Sequence, residues 1–175
     1  MSDRTISGKR FESEEYVLFT EREALEVRRK ESCQADSEVQ VSGDPFIVAR
    51  IPGTYHVNSS CIILETLTWT SGMSLKQPEG TVILDAAKLK FPFVLRKWRS
   101  GDWLVPLGMK GKKKISDLFT DLKFSHMQKE RTVIIVDLAG DLAEQQHVAG
   151  VAGVRIDDRY KVTENTETII RITIS

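Results

Sequence analysis

The amino-acid sequence predicts a mainly β fold of the α+β class, in which β-sandwich-like sheets carry two or three short helices. Its apolar residues fall mostly in short β-prone runs bounded by turn residues, as strands of a sheet do. Helical spacing of apolar residues begins after Ser116 and after Ser125, both of a residue type that caps helices. With 175 residues, of which 41% are hydrophobic and 29% charged, the chain is long enough to bury an ordinary core.

The first half of the chain is predicted to consist of strands. They are expected at Tyr16–Phe19, Ala24–Arg29, Phe46–Ile51, Ser60–Trp69 and Thr81–Leu84. The first two form a hairpin, because a short polar segment separates them. The run that begins at Ser60 has apolar residues on both faces, which favours an inner strand. Asp85 follows the last of these strands and is placed to cap a helical turn.

The second half combines strands with the two short helices. Strands are expected at Phe93–Trp98, Thr132–Val136, His147–Ile156, Tyr160–Val162 and Thr168–Ile174. Ser116 is expected to cap the first helix, and Ser125 and Gln128 have the spacing of a capping box for the second. Residues 137–146 are polar and are expected to form a loop or one helical turn.

Positive charge is concentrated in one part of a chain that is neutral overall. Between Lys88 and Arg131 there are twelve basic and four acidic residues, so this segment carries +8 and the remainder carries −8. Such asymmetry predicts a cationic face on an acidic body, which attracts phosphate groups. The alternative is a solvated lysine loop without a ligand.

The most basic part of this segment is a glycine-containing run of residues 107–115. In an extended chain Lys110, Lys112 and Lys114 would project to one side at a spacing of ~6.6 Å, which is similar to the distance between successive phosphates. Trp98 and Trp103 flank the run, and each either stacks on an exposed base or ribose or packs beneath the loop. Packing is favoured for Trp98, whereas for Trp103 both alternatives stay open.

The sequence contains no recognisable catalytic or metal-binding pattern. His56, His126 and His147 are scattered and lack partners at metal-ligand spacing. Phosphate-binding patterns of the forms GxxxxGK[ST] and GxGxxG are absent from the 175 residues. We therefore expect no catalytic, cofactor-binding or metal-binding residues in this chain.

Cysteine usage and hydropathy indicate the expected cellular compartment. Cys33 and Cys61 have no metal-site spacing and are expected to be idle thiols in a reducing compartment. Apolar runs stay shorter than the ~18 residues of a membrane span, and the first residues lack the apolar core of a signal peptide. The expected location is the cytoplasm, with no membrane partner.

Three blocks of residues carry a family resemblance. They are Arg96-x-Trp98-x-x-Gly101-Asp102, the stretch Pro106-Leu107-Gly108-Met109-x-Gly111-x-Lys113-Lys114-x-Ser116-Asp117-x-Phe119-x-Asp121-x-Lys123, and a closing segment made of Val151 to Asp157 and Arg159 to Thr163. In this order they resemble the C-terminal domain of tRNA(Ile)-lysidine synthetase. Trp103 departs from the family pattern, which usually carries arginine after Gly-Asp, and Phe124-Ser125 replaces an aliphatic-proline pair.

The resemblance implies a parent ligase that uses ATP to adenylate the wobble cytidine of an isoleucine tRNA with a CAU anticodon, and then attaches lysine to form lysidine. The catalytic domain of that family carries an SGGxDS loop, which is absent from this chain. The chain alone is therefore expected to be inactive and to bind no ATP itself. Implied partners are the acceptor stem of tRNA(Ile) and the N-terminal catalytic domain, with a homodimer possible.

The resemblance also implies an organisation and a contact set. Residues 1–78 would form a linking β-region and residues 79–175 a C-terminal tRNA-binding domain, either separate or packed as one unit. The implied fold resembles a domain of the phenylalanyl-tRNA synthetase β subunit. Candidate tRNA contacts are Arg96, Arg99, Lys110, Lys112, Lys113, Lys114, Lys123, Arg155 and Arg159. The competing function is a protein-interaction or architectural module that docks on its own catalytic domain or self-associates.

Overall fold

The computed structural model describes residues 10–12, 16–20, 25–29, 46–48, 51–57, 60–138 and 147–175. The strands are β1 Arg10–Glu12, β2 Tyr16–Thr20, β3 Leu25–Arg29, β4 Phe46–Val48, β5 Gly53–Val57, β6 Ser60–Thr68, β7 Thr81–Asp85, β8 Phe93–Lys97, β9 Trp103–Leu104, β10 Lys113–Lys114, β11 Val133–Asp137, β12 His147–Val151, β13 Arg155–Ile156 and β14 Thr168–Ile174. The helices are α1 Ile115–Asp121 and α2 His126–Arg131, with a 3-10 turn at Asp158–Tyr160.

Two antiparallel sheets enclose the main core. One has the strand order β13-β12-β11-β8-β4 and the other the order β5-β6-β14-β7. Their facing side chains form one buried apolar cluster, to which Leu64 of β6, Leu95 of β8 and Ile172 of β14 belong. Alternate residues of both sheets thus interdigitate, as in a β-sandwich. The predicted mainly β fold with short helices is confirmed.

A second apolar cluster lies on the outer face of the five-stranded sheet. Ile134 and Val136 of β11 contribute to it, whereas Ile135 of the same strand faces the sandwich core. Leu118 and Phe119 of α1 cover this face. Strand β11 is therefore buried on both sides, which explains why its sequence is apolar without interruption.

Several predicted elements match the structure. Strands β2 and β3 pair as the expected hairpin, and β6 lies between β5 and β14 as an inner strand. Asp85 accepts a hydrogen bond from the backbone of Ala87 at 2.9 Å, so it does cap a turn. The division of the chain near residue 78 stays a prediction, although β6 and β14 pair across it.

Other predictions were wrong. The strand expected at Tyr160–Val162 is the end of a 3-10 turn followed by irregular chain, because Asp157 caps that turn. The strand expected from His147 to Ile156 is broken by a turn at Gly153, whose φ is +68°. Strands β1, β5, β9 and β10 were not predicted. Residues 139–146, part of the expected loop or helical turn, lie outside the described residues.

The cysteines differ from expectation at the described position. Cys61 lies buried on β6, and it is disulfide-bonded rather than an idle thiol. Cys33 lies outside the described residues.

Of the two predicted helix caps, one is confirmed and the other is wrong. The side chain of Ser125 accepts from the backbone of Gln128, whose side chain accepts in turn from the Ser125 backbone, so the predicted capping box is confirmed. Helix α1 has Lys114 at its N-cap and no side-chain cap, because the helix already begins at Ile115. Ser116 therefore lies inside the first turn and caps nothing.

These two serines give a matched stability test. Ser125→Ala should lower the free energy of unfolding by about 1 kcal/mol, because an orphan backbone donor loses its acceptor. Ser116→Ala should change it by less than about 0.5 kcal/mol. Urea unfolding of both variants measures the difference, and equal effects would contradict the observed caps.

Candidate nucleic-acid interface

The loop between β9 and β10, residues 105–112, is tied to a segment about fifty residues further along the chain. The backbone N–H of Asp158 donates to the carbonyl of Val105 at 2.8 Å, and that of Leu107 donates to Ile156 at 3.3 Å. Side chains of Asp157 and Asp158 accept from this loop as well. Two of the three family motif blocks therefore meet here, and we call residues 105–112 the glycine loop.

Asp157 is the central acceptor of this junction. It is fully buried, and one carboxylate oxygen accepts from the backbone of Val105 at 2.8 Å. The same carboxylate binds Arg159 through Nε at 2.8 Å and Nη2 at 2.9 Å. This hydrogen bonding to Asp157 raises the pKa of the Arg159 guanidinium, so its charge is fixed. Asp157 therefore aligns the glycine loop and Arg159 at once.

Asp158 holds the tip of the glycine loop. Its carboxylate accepts from the backbone of Gly108 at 3.0 Å and from Lys161 Nζ at 2.9 Å. The Gly108 hydrogen bond, followed by that from Lys161, lowers the pKa of Asp158 below the ordinary aspartate value. Gly108 has φ +80°, and Met109 donates to the carbonyl of Pro106 at 2.8 Å. These features describe a β-turn of the kind that favours glycine at its third position.

A second turn supports the interface from the other side. Arg96 is only 2% exposed, and its two terminal nitrogens bind the carboxylate of Asp102, each at 2.8 Å. Asp102 also accepts from the backbone of Arg99 at 2.7 Å, and Gly101 has φ +96°. The first motif block is therefore a structural turn with a buried ion pair, and Arg96 supports it from inside.

The two tryptophans have different surroundings. Trp98 is half-buried and packs edge-on against Phe119, with ring centroids 5.2 Å apart. The packing role favoured for Trp98 is confirmed. Trp103 instead lies beneath two cations: Lys112 Nζ is 3.9 Å and Arg159 Cζ is 5.5 Å from its ring centroid. Such cation–π contacts hold both side chains on one surface.

The lysines of the basic run do not form the regular row expected from an extended chain. Within residues 107–115 the backbone forms a strand only at Lys113–Lys114, which is β10. Lys113 is half-buried and forms an ion pair with Asp121 of α1. Lys110, Lys112 and Lys114 are exposed. In the antiparallel pair of β9 and β10, Lys114 lies directly opposite Trp103.

The remaining candidates are exposed but more distributed. Arg99 precedes the Asp102 turn, Arg155 lies on β13, and Lys123 follows α1. Within the described part of the chain, no ring contact joins Lys123 or Arg155 to Trp103. The structure thus brings Lys112 and Arg159 together on the Trp103 ring and places Lys114 opposite Trp103 on the neighbouring strand.

Six of the nine candidate residues form no ion pair with any described residue. We call them the unpaired cations, and they are Arg99, Lys110, Lys112, Lys114, Lys123 and Arg155. All six are exposed. Exposed positive charges without nearby carboxylates raise the local potential and favour an anionic ligand.

Two of the unpaired cations occupy positions where lysine is not the stabilising choice. Lys114 is the N-cap of α1, where the helix dipole disfavours positive charge. Lys123 has φ +54°, a conformation in which glycine is favoured. The backbone of Lys123 donates to Thr120, and that of Phe124 donates to Phe119, which together form a Schellman motif. Neither lysine is accounted for by local stability.

Sequence reasoning missed the carboxylates that build this surface. Asp102, Asp157 and Asp158 were not singled out. Asp102 and Asp157 lie inside quoted motif blocks, and Asp158 lies between the two parts of the closing segment, so their positions were the available signal. Among the described residues, no group of histidine, cysteine, aspartate or glutamate could hold a metal ion, and no helix in that part of the chain is long and apolar enough to cross a membrane.

The fold is that of a known class of domain. The crystal structure of the TILS C-terminal domain aligns with a TM-score of 0.60 over 75% of this chain and 97% of that chain, at 19% identity. An N-terminal fragment of the phenylalanyl-tRNA synthetase β-subunit from Pyrococcus horikoshii covers 54% of this chain with a TM-score of 0.45, too low to carry an argument. No protein-family model matches the chain.

Sequence relatives identify the family. The tRNA(Ile)-lysidine synthase of Parabacteroides distasonis is 32% identical over 168 residues, which is 93% of this chain and 34% of the relative. That of Bacteroides thetaiotaomicron is 38% identical over 109 residues, 62% of this chain and 24% of the relative. The chain thus spans about a third or less of the curated relatives it matches. The predicted resemblance is confirmed: the chain matches the C-terminal region of tRNA(Ile)-lysidine synthases.

The buried ion pair predicts a large difference between two neighbouring arginines. Arg96→Ala leaves the Asp102 carboxylate without its charged partner, and the free energy of unfolding should fall by about 3 kcal/mol. Arg99→Ala removes an exposed side chain and should cost less than about 0.5 kcal/mol. Urea denaturation measures both, and a mild effect of Arg96→Ala would contradict its internal role.

The Asp158 contact predicts a pH dependence of known sign. Since folding lowers its pKa, the charged carboxylate stabilises the folded chain above the unfolded value, and this contribution is lost as the pH falls. The stability difference between the unmodified chain and Asp158→Asn should be constant above about pH 5. It should shrink as the pH falls below the ordinary value of 3.8. A difference that does not change over this range would contradict the assignment.

Proposed function

We propose that this chain is the part of a tRNA(Ile)-lysidine synthase that holds the tRNA, and that the surface around Trp103 contacts the RNA backbone. One observation carries the proposal: unpaired, exposed cations lie in and beside a loop whose backbone is held by the carboxylates of Asp157 and Asp158. Because two carboxylates hold the backbone of this loop in place, we infer that the loop itself has a binding role.

The chemistry of the surface suits duplex RNA. An A-form helix offers phosphates and 2′-hydroxyls more readily than base edges. Flexible lysines bind such a backbone with little sequence selectivity of their own. The acceptor stem of tRNA(Ile) is a duplex of this kind, and we propose it as the contacted region.

We narrow the proposed contact set on the basis of ion pairing and exposure. Arg99, Lys110, Lys112 and Lys114 are the main candidates, and Arg159 joins them because it shares the Trp103 ring with Lys112. Lys123 and Arg155 are candidates at the periphery. Arg96 and Lys113 are engaged by Asp102 and Asp121, and we assign them to support of the surface.

The remainder of the proposed function concerns the parent enzyme. A catalytic domain carrying the SGGxDS loop would bind ATP, activate the wobble cytidine and attach lysine. The 175 residues contain no such loop. We propose that this chain supplies tRNA affinity and orientation to that domain, in the cytoplasm, and has no ligase activity alone.

Removing the unpaired lysines should weaken RNA binding and leave the fold intact. If about four phosphates are neutralised, the slope of log affinity against log salt is roughly −3. Lys110→Ala, Lys112→Ala and Lys114→Ala combined should make that slope shallower by about 1 for each lysine in contact. Titration of an RNA duplex at several salt concentrations measures it.

The matched control is Lys113→Ala. This lysine is engaged by Asp121, so its removal should change the salt slope by much less than one contact. A salt slope near zero for the unmodified chain would contradict RNA binding. Self-association in light scattering that RNA does not alter would favour the competing protein-docking function.

A further inference from the structure

Two large apolar side chains are exposed at the tip of the glycine loop. Leu107 is 45% and Met109 51% exposed, and neither belongs to an apolar cluster of the described residues. They flank Gly108 in the turn whose backbone Asp158 holds. The apolar pair is therefore displayed at a fixed position rather than folded back onto the core.

The surroundings of this tip are cationic. Lys110 follows Met109 directly, and Lys112 lies three residues beyond it on the Trp103 ring. Neither lysine forms an ion pair with a described residue. An occupant of the tip must therefore combine an apolar surface with surrounding negative charge.

The sides of an RNA duplex do not meet this requirement, since they present phosphates, sugars and hydroxyls. The face of the last base pair does, because it is flat and apolar and is bordered by the phosphates of both strands. Apolar side chains are known to pack against base faces where stacking is interrupted. The tip thus fits the open end of a duplex better than its side.

We infer that Leu107 and Met109 cap the exposed face of a terminal base pair, so that the glycine loop recognises the end of an RNA duplex. This inference rests on the proposed function and adds to it an apolar contact that distinguishes an end from continuous helix. The neighbouring lysines hold the phosphates on either side of that end.

The test compares two RNAs with the same helix. One is a blunt duplex of about 12 base pairs, and the other closes the same helix at both ends with compact tetraloops. The full chain should bind the open duplex about tenfold more tightly. Leu107→Ser with Met109→Ser should abolish that preference while binding to the closed RNA and its salt slope stay unchanged.

The controls separate this inference from the proposed function. Leu75→Ser replaces another exposed leucine, 64% exposed and outside the loop, and should keep the preference. Equal binding of both RNAs by the unmodified chain would overturn end recognition and leave backbone binding standing. An unchanged preference in the double variant would also overturn it. Binding to neither RNA would overturn the proposed function, and this inference with it.

Discussion

The buried carboxylate of Asp157 is the constraint on which the functional surface depends. It joins the backbone of the glycine loop to the guanidinium of Arg159, and Arg159 in turn lies over Trp103. Asp158, the next residue, holds Gly108 at the tip of the same loop. A buried acceptor that is fully satisfied in this way specifies one arrangement, because each of its partners would be left unpaired in any other.

Ion pairs with carboxylates separate the candidate basic residues into groups that composition alone cannot distinguish. Arg96 and Lys113 are engaged by carboxylates and stabilise turns and helix packing. The unpaired cations face solvent, and Lys114 and Lys123 even occupy backbone positions that disfavour lysine. Cations at positions that do not favour stability are the pattern expected of binding residues.

The sequence was sufficient for the elements that local rules determine. The doubly buried β11, the inner strand β6 and the capping box at Ser125 all follow from patterns within a few residues. It was insufficient where a long-range contact decides the structure. Tyr160 was predicted to begin a strand, yet it ends a 3-10 turn that Asp157 caps. In sequence Lys113 resembles the neighbouring lysines, and only the structure shows its ion pair with Asp121 of α1.

RNA binding at the surface around Trp103 can be tested by NMR titration of the isotope-labelled chain with an RNA duplex. We expect the amide shifts to concentrate in residues 99–114 and 155–159 and to saturate together. Shifts confined to the strands of the opposite sheet, β5, β6, β7 and β14, would contradict it. So would a titration that leaves the spectrum unchanged.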